Sequence, residues 1–314
     1  MSKFDYLCGM NVLIVGLGKI AMVHMDALRS LVPDCRFYAL RSSAKAPAVE
    51  GVTSIFNLDC DMPKFDMALI SNPSGLHADA IENVLPLGIP LFIEKPLFVD
   101  LKRVDLINRL RSVPTYVGCN LRFLGCVNFM RDYIREHPEK RINEVNVYCG
   151  SFLPRYRGEG YAQSFNAVRA LGGGVHLDLI HDIDYVCYMF GMPNSSLGVC
   201  RNASSLGIDA PDFAAYHLFY PGFTANVTLN FYRKTPVRRV EIIFDDEVMV
   251  MDLRNNIIYD NCGEVLYRGG DTVADTYKEQ MRHFLDCIAK DGCTVNDADE
   301  AFEILKICLD YKMM

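Results

Sequence analysis

No apolar run in these 314 residues is long enough to span a membrane, and no block of lysine and arginine stands interleaved with aromatics. The first absence predicts no membrane partner. The second, together with a formal charge of −7, predicts no nucleic-acid partner, because phosphate backbones recruit basic surfaces. The opening MSKFDYLCGMNVLIV lacks the charged, then apolar, then small order of a signal peptide, so the expected location is cytoplasmic. Twelve cysteines stand at positions 8, 35, 60, 119, 126, 149, 187, 200, 262, 287, 293 and 308, yet no two have C-x-x-C spacing. Most, such as Cys187 and Cys308, fall within apolar helical patterns, where cysteine acts as a small hydrophobe; they read as reduced packing residues, and no metal is expected. Internal repeats and low-complexity linkers are missing too. What is present, 50% hydrophobic and 23% charged residues, describes a globular chain long enough for two domains.

The first 120 residues alternate β-rich runs with helical patterns. Strands are predicted at 11–15, 35–41, 65–71, 90–93 and 115–118, with helices at 19–31, 76–87 and 100–112. Near-continuous apolar strands separated by amphipathic helices predict a parallel sheet covered on both faces. A packed helix is expected near 120–140. Beyond it, one helical stretch at 174–190 precedes alternating segments at 196–203, 212–220, 223–232, 237–244, 247–253 and 256–260, punctuated by FYPGF and YDNCGEV. That meander predicts an antiparallel sheet with one covered face. Helices at 275–290 and 297–312 close the chain.

The stretch VLIVGLGKIAMVHMDAL is a strand, then Gly16-x-Gly18-x-x-Ala21, then an amphipathic helix. The first glycine permits a tight turn, the second lets backbone approach a pyrophosphate, and Ala21 still allows close helix–strand packing. The helix start, with Lys19 and Ile20, offers free N–H groups to phosphate. An NAD site usually carries an acid at the end of the second strand for the ribose hydroxyls. Here that place reads ALRSSAK, with Arg41, Ser42 and Ser43. A guanidinium with hydroxyls suits a 2′-phosphate, so NADP is preferred over NAD.

Residues 92–98 read FIEKPLF, placing Glu94 and Lys95 side by side among apolar residues and before Pro96. Charged groups rarely enter such surroundings without a partner or a task. Further on, LGGGVHLDLIHDIDYVCYMFG sets three glycines before a helix whose inward positions are Val175, Leu179, Ile183, Val186 and Phe190. On one continuous helix, Asp178, His181, Asp182 and Tyr185 share a stripe, with His176 off it.

These segments together resemble the Gfo/Idh/MocA family of NAD(P)-dependent sugar oxidoreductases, over nearly the whole length. The matching pieces are GLGKIA, SNPSGLHADAI, EKP, VGCNLRF, GGGVHLDLIHDIDY and the terminal YKEQMRHFLDCI. The resemblance implies an α/β protein: an N-terminal Rossmann dinucleotide-binding domain (1–121) plus a C-terminal α+β domain with an open, mostly antiparallel sheet (122–314). It implies association of copies through that sheet, as a homodimer or homotetramer, since an open face would otherwise expose a large apolar patch. It places Lys95 and His181 at the reacting carbon beside the nicotinamide, with Asp178 one residue nearer the histidine than in the usual motif. Hydride leaving a carbinol carbon requires the hydroxyl to lose a proton, which a histidine can accept while a lysine steadies the charge. Glu94 is expected to position Lys95. The nucleotide contacts are expected from Gly16, Gly18, Lys19, Ile20, Arg41, Ser42, Asn72, Pro73, His77, Glu94 and Lys95.

Residues 150–174 resemble a subgroup often tied to surface-sugar pathways, keeping Leu153, Pro154, Tyr161 and Ser164 but carrying Arg155 and Tyr156 where Asp and Trp are common. Arg155, Arg157 and Arg169 would suit an anionic sugar or nucleotide sugar. Asn120 and Arg122, on loops after strands, join Arg155, Tyr161, Lys95, Asp178 and His181 as expected substrate contacts. Two other functions are hosted by this fold: NAD-dependent glycosidases without net redox change, and non-catalytic dinucleotide- or sugar-binding regulators. Lys95 and His181 together disfavour the regulator.

Overall fold

A computed structural model describes residues 9–59, 62–290 and 295–314; Cys8, Cys60 and Cys293 lie outside them. The chain divides into two compact units, Met1–Cys119 with Tyr277–Phe302, and Asn120–Thr276 with Glu303–Met314. The first crossing lies two residues before the 121/122 expectation, and the sequence contained no cue that residues 277–302 group with the first unit.

In the first unit, β1 (Asn11–Val15), α1 (Lys19–Leu31), β2 (Arg36–Leu40), β3 (Val52–Ile55), β4 (Met67–Ile70), α2 (His77–Val84), β5 (Leu91–Glu94), α3 (Val104–Leu110) and β6 (Thr115–Gly118) follow in order. The strands form one parallel sheet, β3-β2-β1-β4-β5-β6. Apart from Asn11 and Glu94 at their ends, the centre strands are apolar: Val12, Leu13, Ile14, Met67–Ile70 and Leu91–Ile93 are all fully buried. Each such aliphatic side chain contributes about 1.5–3 kcal/mol relative to exposure. β3 was not expected, and its composition explains why. It is an edge strand with Thr53 and Ser54 exposed and only Ile55 buried, so it carries no apolar signature. The opposite edge, β6, is covered by a late segment: Val117 N donates to Asn296 O (2.9 Å), Asn296 Nδ2 to Val117 O (2.6 Å) and Ala298 N to Thr115 Oγ1 (3.1 Å). Covering an edge this way removes a template for unwanted strand pairing.

The second unit contains α4 (Gly125–Glu136), β7 (Ile142–Phe152), α5 (Leu153–Arg157), α6 (Val175–Asp178), α7 (His181–Phe190), β8 (Ser195–Arg201), β9 (Phe213–Phe219), β10 (Thr224–Asn230), β11 (Tyr232–Phe244), β12 (Val248–Asp252), β13 (Ile257–Asp260) and β14 (Val265–Arg268). The division between units falls inside α8 (Val273–Ala289) and α9 (Ala298–Leu309), and β15 (Tyr311–Met313) ends the chain. The nine strands run β14-β13-β12-β11-β7-β10-β9-β8-β15, antiparallel except for β7–β10 and β8–β15. β7 sits in the middle of the sheet, although only a change of character was read there. Its alternation, with Val145, Val147 and Cys149 buried between polar residues, was the available signal.

The sheet has one apolar face, including Val145, Val147, Val227, Leu229, Val240 and Ile242. The other face corrects the expected apolar patch. Asn226 Nδ2 donates to Glu144 Oε1 and Asn146 Oδ1 (both 3.0 Å), and His217 Nδ1 lies 2.7 Å from Asn226 Oδ1. Exposed apolar residues of the sheet include Leu197 (47%) and Phe219 (40%).

Candidate active site

The β1–α1 turn depends on glycine at two points for different reasons. Gly16 adopts φ +94°, and a Cβ there would lie 2.2 Å from Asn72 N, so only glycine allows the loops after β1 and β4 to meet. Ser71 Oγ donates to Gly16 O (2.8 Å) across the same contact. Gly18 is exposed, and a Cβ on it would meet nothing within 4 Å. It precedes α1, which has no side-chain cap, so the first amides, from Lys19 and Ile20 onward, face outward. This is a cradle at the carboxyl edge of the sheet, beside β1 and β4, where strand order reverses. Arg41, at the end of β2, holds Pro47 O through Nη2 (3.4 Å), while its buried Nη1 has no hydrogen-bond partner; Ser42 is exposed. A dinucleotide pyrophosphate on the α1 amides fits these residues.

At the end of β5, Glu94 is buried (8%) and Lys95 half-buried. Glu94 was expected to position Lys95. Its Oε1 lies 2.5 Å from Nε2 of His24, a fully buried residue on α1. Phe92 packs on the same imidazole (ring centroids 4.7 Å apart), and Gly118 leaves the room: a Cβ there would come within 3.0 Å of the Glu94 carboxylate. His24 escaped the sequence reading, although a histidine within the buried stripe Ala21, Met25, Leu28 of α1 was the signal. His77 was expected to touch cofactor. It is fully buried, with Nδ1 2.9 Å from Pro96 O and Nε2 3.0 Å from Asn72 O, so it ties the turn after Lys95 to the loop after β4. Burial holds its pKa below the ordinary histidine value. Asn72 serves the same loop, donating Nδ2 to Leu76 O (3.0 Å), and Pro73 leads into the following turn.

In the second unit, the expected single helix over 174–190 is broken after Asp178. α6 ends there, and α7 begins at His181. The break sets Asp178 apart from the other three residues of the supposed stripe, and burial divides the four into two pairs. Asp178 and His181 remain half-buried. Asp182 and Tyr185 are buried completely: Tyr185 Oη donates to Asp182 Oδ1 (2.6 Å), and Arg238 donates Nε to Oδ1 (3.1 Å) and Nη2 to Oδ2 (2.8 Å). Burial, then the Asp182 charge, pushes the Tyr185 hydroxyl far above its usual pKa. Arg122, expected to bind substrate, is buried (1%) and makes a bidentate pair with Asp184 (2.9 and 2.8 Å), while its guanidinium lies 5.0 Å from the Tyr188 ring. Two ion pairs therefore clamp α7 by its first turn.

Two further expected contacts bond within their own unit. Asn120 Nδ2 donates to Thr276 Oγ1 (2.7 Å), and Tyr161 Oη to Leu206 O (3.1 Å). Arg155 is exposed; Arg157 lies over Phe165 (4.6 Å), and the Arg169 backbone binds Asp209 (2.8 Å). His176 is buried at 3%, its ring against Tyr311, and burial with the Arg169 charge lowers its pKa to about 4.

Within the same unit a cavity of about 270 Å³ opens beside Asp178. Cys149, Gly150 and Ser151 of β7, Tyr156 of α5, and Pro236 to Arg238 of β11 line it, together with Arg254 and an apolar floor that includes Leu179 and Leu253. The β7–β11 register slips between Tyr232 and Val237, which splays the strands at this point. Arg238 and Arg254 were not foreseen, although proline inside the run TPVRR is a bulge signal.

Residues 10–112 match the family described as "Oxidoreductase family, NAD-binding Rossmann fold", and residues 135–250 match the "GFO/IDH/MocA C-terminal domain". The rhizopine catabolism protein MocA of Rhizobium meliloti is 24% identical over 202 residues, 61% of each chain. A UDP-N-acetylglucosamine 3-dehydrogenase of Acidithiobacillus ferrooxidans is 23% identical over 222 residues, covering 69% of this chain and 63% of that one. Both matches span less than two thirds of the relative's length. The crystal structure of a myo-inositol 2-dehydrogenase from Lactobacillus plantarum shares the fold at a TM-score of 0.77, with 18% identity over 95% of each chain.

Proposed function

The chain belongs to the GFO/IDH/MocA family of oxidoreductases, and from that premise we propose that it moves a hydride between NAD(P) and a hydroxyl-bearing carbon of a sugar or sugar derivative. The observation that carries the reading is the cradle at Gly16 and Gly18, where an uncapped helix start faces the switch point of a parallel sheet. When bound, the nicotinamide supplies the hydride acceptor for oxidation or the donor for the reverse reaction. The amides of Lys19 and Ile20 hold the pyrophosphate. Arg41 and Ser42 favour NADP, supported by the Arg41 Nη1 that has no hydrogen-bond partner among the described residues and by the absence of an acid at the end of β2.

His181 takes the proton of the substrate hydroxyl through a ring nitrogen, Asp178 assists it, and Lys95 Nζ steadies the charge that develops on the oxygen. Glu94 and His24 fix the strand end that carries Lys95. Copies associate through the outer face of the nine-stranded sheet. Replacing Lys95 with Met should leave NADP binding within about twofold of the parent and lower turnover at least ~100-fold, followed as NAD(P)H absorbance. Near-normal turnover would remove Lys95 from the chemistry. Product formed without stoichiometric NAD(P)H would replace the dehydrogenase reading with the glycosidase one.

A further inference from the structure

The cavity at the β7–β11 bulge contains two guanidinium groups held in different ways. Arg238 is fixed along one edge by the fully buried Asp182 carboxylate. Arg254 is exposed, with Nη1 on the carbonyl of Pro236 and its backbone N–H on Asp252 Oδ1 (3.0 Å), and it stands at the cavity wall. Leu253 N donates to Arg238 O (3.1 Å), which keeps the two arginine backbones side by side. Tyr156 contributes a half-exposed aromatic side chain, and burial, then the Asp178 carboxylate, raises its pKa well above the usual value. At about 270 Å³ the space lies just under the ~300–1,000 Å³ of drug-sized ligand pockets, the scale of one sugar ring.

We propose that this cavity selects an acidic sugar, with Arg254 and Arg238 receiving its carboxylate or phosphate and Tyr156 contacting its ring. The proposal rests on the sugar-oxidoreductase reading of the same site and names its substrate class. Guanidinium forks match either anion with paired N–H donors, and a cation already pinned in place loses little freedom on binding. The sugar hydroxyls are left to Asp178 and Tyr156, which line the same cavity. The arginines of the loop before α6, which suggested an anionic substrate from sequence, are not the ones that line the cavity.

The test measures binding separately from turnover. The full chain saturated with NADP is titrated calorimetrically with glucuronate, glucose 6-phosphate and glucose, in parallel for the parent, Arg254→Gln, Tyr156→Phe and Arg155→Gln. One of the two anionic sugars should bind at least ~10-fold more tightly than glucose, and which one identifies the carboxylate or the phosphate. Arg254→Gln should collapse that ratio to near one, as expected for loss of a charge-assisted contact. Equal binding of all three sugars, absence of binding by any of them, or a ratio untouched by Arg254→Gln overturns the proposal. A collapse caused by Arg155→Gln instead would return the anion to the loop and overturn it too. Anion-selective binding without NADPH formation from any sugar would reject the dehydrogenase reading and leave this subsite standing. NADPH formation from glucose alone would do the reverse.

Discussion

Single residues in this protein divide between those with an open task and those used up by their surroundings. Glu94 shows how one group is taken up: its Oε1 meets His24 in a space that Gly118 keeps free. His176 is a clear case of a residue defined by burial. Its pKa, lowered to about 4 in the folded chain, stands near 6.5 once unfolded. The unfolded chain therefore binds this proton first as pH falls, so stability is complete above about 6.5 and declines toward 4. The slope is roughly 1.4 kcal/mol per pH unit, or about 2 kcal/mol between pH 6.5 and 5. His77 is shifted the same way and adds to the trend. Urea denaturation at pH 7 and pH 5 should show the parent losing about 2 kcal/mol more than His176→Gln. Parallel losses in both proteins would mean that His176 is not the group responsible.

At the scale of elements, α7 is the most constrained helix near the cavity, clamped by Arg238–Asp182 and by Arg122–Asp184. Removing one partner of a buried pair leaves the other charged in a poor solvent, which costs ~3–5 kcal/mol. Asp184→Ala should lower the urea stability by that amount, whereas Arg131→Ala, at the more exposed Arg131–Asp132 pair, should cost under ~1 kcal/mol. Equal small losses would show that the clamp carries little. Elements with a contiguous signature were legible in the sequence: the turn at Gly16, the apolar strands β1, β4 and β5, and the closing helices. β3 was not, because an exposed edge needs no apolar residues. The break between α6 and α7 was also hidden, since Leu179 and Ile180 keep the apolar helical spacing while the backbone interrupts it. The cavity was hidden for a further reason. Tyr156, Arg238 and Arg254 become neighbours through strand pairing across the sheet, and no local window of sequence contains that information.

For the whole molecule, the outer face of the large sheet is decisive. A polar network of Glu144, Asn146, Asn226 and His217 is flanked by exposed Leu197 and Phe219, a combination of specific hydrogen bonding and apolar rim area that suits pairing of copies. Light scattering should return a mass that is two or four times 35.4 kDa, and Leu197→Arg should shift the population toward the single chain. A single-chain mass for the parent at micromolar concentration would withdraw the assembly. The segment at Asn296–Ala298 that covers β6 has a consequence for how the protein is made. A ribosome delivers β1 to β6 long before it delivers their edge cover, so the first unit cannot be finished until Asn296 and Ala298 have been synthesised. A nascent chain arrested before residue 296 would present an open strand edge, and the cell must protect that edge during the interval.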